Sequence, residues 1–119
     1  MITELRPGEV FVFGSNADGW HAGGAARTAL ERFGAVWGEG HGLHGRSYAI
    51  DTMSGFAVIE EEVAGFLGFA AGHPELRFVL TPIGTGVAGY EPEEIAPLFV
   101  GAPGNVVLPT EFDSALAAE

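Results

Sequence analysis

The sequence predicts an α/β domain in which a mostly parallel sheet lies between two layers of helices, a three-layer α/β/α sandwich. Three observations lead there. Val10-Phe11-Val12-Phe13, Ser47-Tyr48-Ala49-Ile50-Asp51 and Phe78-Val79-Leu80-Thr81-Pro82-Ile83 are short runs with largely apolar cores, as strands covered on both faces read. Each is followed by a stretch with helical spacing or helix-start chemistry. Glycine clusters at the joints between them instead of forming a low-complexity linker. At 119 residues the chain is expected to be a single domain spanning 1–119. That length buries roughly two-thirds of the unfolded surface, enough for one core without staples.

In order, Pro7-Gly8 signals a turn, and Glu9 to Phe13 is the first strand. The loop Gly14 to Ala22 leads into a helix over about 23–33, which Gly34 stops. Ala35 to Arg46 is irregular, with glycine at 38, 40, 42 and 45. Ser47 to Asp51 is the second strand. Phe56 to Ala71 then carries Val58, Ile59, Val63, Phe66, Leu67 and Ala70 at helical spacing, with Glu60, Glu61 and Glu62 expected on the wet side. Phe78 to Ile83 is the third strand, and Gly84 to Tyr90 a second glycine loop. Pro92 opens a helix expected to run to about Val100. Asn105 to Leu108 is the last strand, and a short helix is expected within 110–119. Right-handed crossovers and cover on both faces give the core strand order 2-1-3-4. The chain then reverses direction between the first and third strands, and the crevice outside their carboxyl ends is where such sheets bind ligands. That crevice is bordered by Gly14–Gly24 and Gly84–Tyr90.

The formal net charge is −11, with no lysine and no cysteine. Such a surface repels a phosphodiester polymer, so binding to a nucleic-acid backbone is not expected. A small anion is different, because nearby amide dipoles outweigh distant screened charges. Without cysteine there is no disulfide, thiolate metal site or thiol nucleophile. Met1-Ile2-Thr3-Glu4 has neither the basic start nor the apolar run of a secretory leader. No run approaches membrane-spanning length. The expectation is a cytoplasmic protein with no membrane partner and no cofactor.

Strand, glycine-bearing loop and helix start together make an anion site: free backbone N–H groups and the positive end of a helix dipole face one spot. The first loop offers Gly14, Ser15, Asn16, Gly23 and Gly24. The second offers Gly84, Thr85, Gly86, Val87, Ala88 and Gly89, which spell G-x-G-x-x-G. As a dinucleotide fingerprint that motif is misplaced, since it follows the third strand and lacks the acidic residue for a ribose. A phosphate-cradling loop is preferred; a plain tight turn is the alternative. No Gly-Lys-Ser/Thr occurs, so there is no Walker A loop.

Asn16 either caps its loop or meets a ligand. His21 is either a proton carrier or part of the approach to the helix. Asp51 is either a general base or a turn cap. These three are the catalytic candidates. His41 and His44 lie in a flexible H-G-L-H stretch that does not suit a metal. Trp20, Tyr90 and Phe112 are aromatic residues in or beside loops, available to stack on a base or to fill the core. There is no Ser-His-Asp set by motif and no G-x-S-x-G elbow.

VFVFGSN, HAGGAARTA, GHGLHGRSYAIDT, HPELRFVLTPIGTGVAGY, EIAPLF and NVVLP resemble a family of small bacterial and phage-related proteins over about Val10 to Pro109. The pattern is similar, more distantly, to macro domains, which bind ADP-ribose. Phe13-Gly14-Ser15-Asn16 resembles their strand ending in Asn, Gly23-Gly24 their glycine-rich helix start, and Gly84 to Gly89 their second loop. Phe112-Asp113 resembles their segment near the adenine and distal sugar. The resemblance implies a macro-like domain that binds ADP-ribose or a related nucleotide diphosphate. The amides of Gly23-Gly24 and Thr85 to Gly89 would hold the diphosphate, Asn16 would touch the terminal ribose, and Tyr90 or Phe112 would pack on sugar or base. Two other functions are kept beside it. One is an ADP-ribosyl hydrolase acting on an ADP-ribosylated protein through Asn16, His21 and Asp51. It would lack both the paired glutamates of poly-ADP-ribose hydrolases and any lysine-dependent mechanism. The other is a phage or host interaction module whose acidic surface meets a basic protein.

Overall fold

The computed structural model describes Ile2 and residues 4 to 118. Along the chain run β1 (Glu9–Ser15), α1 (Gly24–Arg32), β2 (Gly42–His44), β3 (Ser47–Asp51), α2 (Phe56–Ala71), β4 (Arg77–Leu80) and α3 (Pro92–Ile95). A 3-10 helix (Ala96–Phe99), β5 (Val106–Val107) and α4 (Thr110–Ala117) complete it. The five strands form one sheet in the order β2-β3-β1-β4-β5. It is mostly parallel: β1 pairs in parallel with β3 and β4, and β4 with β5, while β2 runs antiparallel to β3.

The apolar character of β1 follows from its central place. Successive side chains of a strand point to opposite faces. Phe11 and Phe13 pack with Ala26, Ala29 and Phe33 of the α1 side. Val10 and Val12 pack with Ile59, Val63 and Phe66 of α2, with Phe99, and with Phe112 of α4. Both parities meet a core, so both must be apolar. The radius of gyration, 12.9 Å, matches the roughly 13.5 Å of a compact chain of this length.

Helix α1 buries only Ala26 and Ala29 against β1, and these small side chains let helix and sheet approach closely. Gly34, at φ +80°, then turns the chain away. In α2 the buried residues are Ile59, Val63, Phe66 and Ala70, one stripe at helical spacing. Glu60 and Glu61 are exposed, but Glu62 is half-buried and accepts the Asp51 backbone N–H at 3.0 Å. Burial, with Glu62 adding repulsion, raises the Tyr48 hydroxyl above its ordinary pKa of 10.0.

Three expectations need correction. The stretch read as irregular contains β2, held by pairing of Gly42, Leu43 and His44 with β3. The helix expected over Pro92 to Val100 leaves α geometry at Ile95, because Pro97 has no N–H to continue it. The third strand ends at Leu80; beyond it Thr81 still donates its N–H and hydroxyl to Val12 O, and Pro82 has no N–H to extend the ladder. Among the described residues no helix is long and apolar enough to cross a membrane.

Candidate functional site

At the carboxyl ends of β1, β3 and β4 lies a cleft of about 450 Å³, within the usual range for small-molecule sites of roughly 300–1,000 Å³. The end of β1, the loop after it and the start of α1 supply Gly14, Ser15, Asn16, Trp20 and 22–26. The loop after β3 supplies Thr52 and Met53, and residues 81–88 form the far bank. Both glycine loops therefore border one cavity. No Asp or Glu among the described residues lines it. A second hollow of about 340 Å³ sits at the opposite strand ends, lined by Arg6, Pro7, Gly8, Glu9, Glu75 and Arg77. There Glu9 accepts the Arg6 backbone N–H at 2.8 Å and lies 3.8 Å from the Arg77 guanidinium.

The cleft's polar side chains are spent on its own framework. The hydroxyls of Thr52, Thr81 and Thr85 donate to the carbonyls of Ser15 (3.3 Å), Val12 (2.8 Å) and Pro82 (2.7 Å). The Asn16 amide accepts the Trp20 N–H at 3.0 Å and donates to Trp20 O at 3.1 Å. Ser15 Oγ lies 3.3 Å from His21 Nδ1, and His21 Nε2 lies 3.0 Å from Val36 O. A carbonyl only accepts, so Nε2 carries a proton, while Nδ1 pairs with the Ser15 hydroxyl.

The backbone amides differ. Thr85, Gly89 and Tyr90 donate within their loop to Pro82, Gly86 and Gly84. The N–H groups of Gly23, Gly24, Ala25, Gly86, Val87 and Ala88 meet no acceptor among the described residues. The first of these open α1, whose start has no side-chain cap and carries the positive end of the helix dipole. A β-carbon on Gly23, Gly24 or Gly86 would meet nothing within 4 Å, so the chain is bare where a ligand would approach. Gly24 also has φ +60°, a conformation that glycine adopts without strain.

The expected residues separate accordingly. Gly14, Ser15, Asn16, Gly23, Gly24, Gly84, Thr85, Gly86, Val87 and Ala88 line the cleft; Gly89, Tyr90, Phe112, His21 and Asp51 do not. Phe112 is fully buried and stacks on Phe99 at 5.8 Å, so it is core. Tyr90 leans on Phe56 at 5.7 Å. His21, 1% exposed, has both ring nitrogens occupied and Phe13 edge-on at 5.3 Å. With both nitrogens engaged inside the fold, the ring serves as a staple. Asp51 accepts from the Met53 N–H and the Ser54 hydroxyl, which makes it a turn cap. His44 bonds the His41 carbonyl, and no group of three His, Cys, Asp or Glu among the described residues could hold a metal. Met53 and Thr52 were absent from the expected site; their only signal was their place just after the second strand.

Compared with the known protein families, with curated proteins and with solved structures, the chain matches none of them.

Proposed function

We propose that the cleft binds a nucleotide diphosphate, ADP-ribose or a close relative, in a three-layer macro-domain-like fold whose central strands carry the two glycine loops. The observation that supports this most is the donor inventory. Each hydroxyl and amide side chain of the lining already has a partner, and the donors that remain open are the Trp20 indole N–H and two short runs of backbone amides on facing loops. Such amides favour a spread-out anion with several acceptor oxygens, as a pyrophosphate has. The absence of carboxylates from the lining, among the described residues of so acidic a chain, removes the repulsion that would oppose it. Asn16, His21 and Asp51 are committed to loop structure, so binding without turnover is the reading adopted.

The test is calorimetric titration with ADP-ribose, ADP and NAD, alongside thermal unfolding. A ligand at a hundred times its dissociation constant stabilises by about 2.7 kcal/mol. No heat and no shift at millimolar concentration would remove the proposal. The Gly23→Ala variant sharpens it. Gly23 has an extended backbone and open space beside it, so the fold tolerates the methyl while the ligand does not.

A further inference from the structure

We infer that Trp20 is a stacking platform for the base, so that the cleft selects nucleotides over sugar phosphates whatever the base. This rests on the reading that a phosphate sits on the amides. Each of the three loops at the cleft places one exposed apolar side chain in its lining: Trp20 is 62% exposed, Met53 49% and Val87 93%. An amide-lined floor under an apolar rim suits a ligand that is anionic at one end and flat and apolar at the other.

Trp20 is mounted more firmly than its exposure suggests. Asn16 grips its backbone at both N–H and carbonyl. Gly19 donates to Asn16 O at 3.0 Å and accepts from Gly38 at 2.9 Å. Gly19 and Gly40 lie against neighbouring backbone so tightly that neither has room for a β-carbon. The loop is thus fixed while the indole is left in solvent. A large apolar surface held still before binding lowers the ordering cost of stacking. Asn16 is then a positioning residue acting through Trp20. Stacking tolerates any base, because every base has a π face.

The experiment compares AMP with ribose 5-phosphate, which share the phosphate and differ in the base. A Trp37→Phe background leaves Trp20 as the one tryptophan of the two in the sequence. AMP is expected to quench its fluorescence and to bind roughly five- to hundredfold tighter than ribose 5-phosphate. Trp20→Ala should bring the two affinities together, and Trp20→Phe should restore part of the gap. Asn16→Ala should narrow the gap by weakening AMP more than ribose 5-phosphate. A gap that persists in Trp20→Ala, or equal affinities before the change, overturns the platform and leaves the phosphate reading standing. Failure of AMP, ribose 5-phosphate and ADP-ribose alike to bind overturns both.

Discussion

Gly40 lies directly against the carbonyl oxygen of Asn16, with no room between them for a β-carbon. Through this contact the irregular segment after α1 sets the shape of the loop that carries Trp20. Gly40→Ala is therefore expected to destabilise by about 1–3 kcal/mol through overpacking. The same change at Gly65, on exposed α2 surface with open space beside it, is expected to stabilise by about 0.5–1 kcal/mol, since glycine is a poor helix residue. Urea denaturation of both variants checks the opposite signs.

His21 joins Ser15 to Val36 from inside the fold. His21→Ala removes a buried ring and leaves the Ser15 hydroxyl without a partner, while Val36 O keeps the Glu39 N–H, an expected loss of about 3 kcal/mol. Unchanged stability in that variant would contradict the staple assignment.

Asn105 stands at the end of α2, where its amide nitrogen lies 3.0, 3.1 and 3.0 Å from the carbonyls of Ala70, His73 and Leu76. Asn105→Ala removes a donor from all three and leaves Leu76 O open, since Ala70 O and His73 O keep the N–H groups of His73 and Leu76, at a cost of about 1–3 kcal/mol. Asn105→Asp is expected to be worse than alanine, because it presents a charged acceptor to three acceptors. Thermal melts of the two variants rank them.

Tyr48 packs against Phe66 at 5.0 Å and Phe69 at 5.3 Å, and its folded pKa lies above the ordinary 10.0. Above about pH 10 the unfolded chain has lost the phenolic proton while the folded chain keeps it. Stability from this group is full below that pH and falls as pH rises through the folded value. Tyr48→Phe keeps the ring, and its stability should decline less between pH 9 and 11 in denaturant titrations.

Much of the architecture was legible because long-range packing agreed with local pattern. Ile59, Val63, Phe66 and Ala70 mark α2 by spacing alone, and Phe11 and Val12 mark a strand covered on both sides. β2 was hidden, since three residues with Leu43 exposed carry no periodic signal and depend on β3 for pairing. In the site, sequence located the two loops through glycine. It did not reveal where Asn16, His21 and Asp51 spend their hydrogen bonds, because those partners come from loop closure over 2 to 15 residues. Phe112 was misplaced for a similar reason: only the packing of α4 on Phe99 shows it to be core.

The most direct measurement is the chemical-shift response of backbone amides in a ¹H–¹⁵N spectrum during titration with ADP-ribose. The amides of Gly23, Gly24, Gly86, Val87 and Ala88 should shift together, with one shared dissociation constant that weakens in Gly23→Ala. A spectrum that does not move, or that moves only around Arg6 and Arg77 at the other end of the strands, would contradict a pyrophosphate held between the two loops.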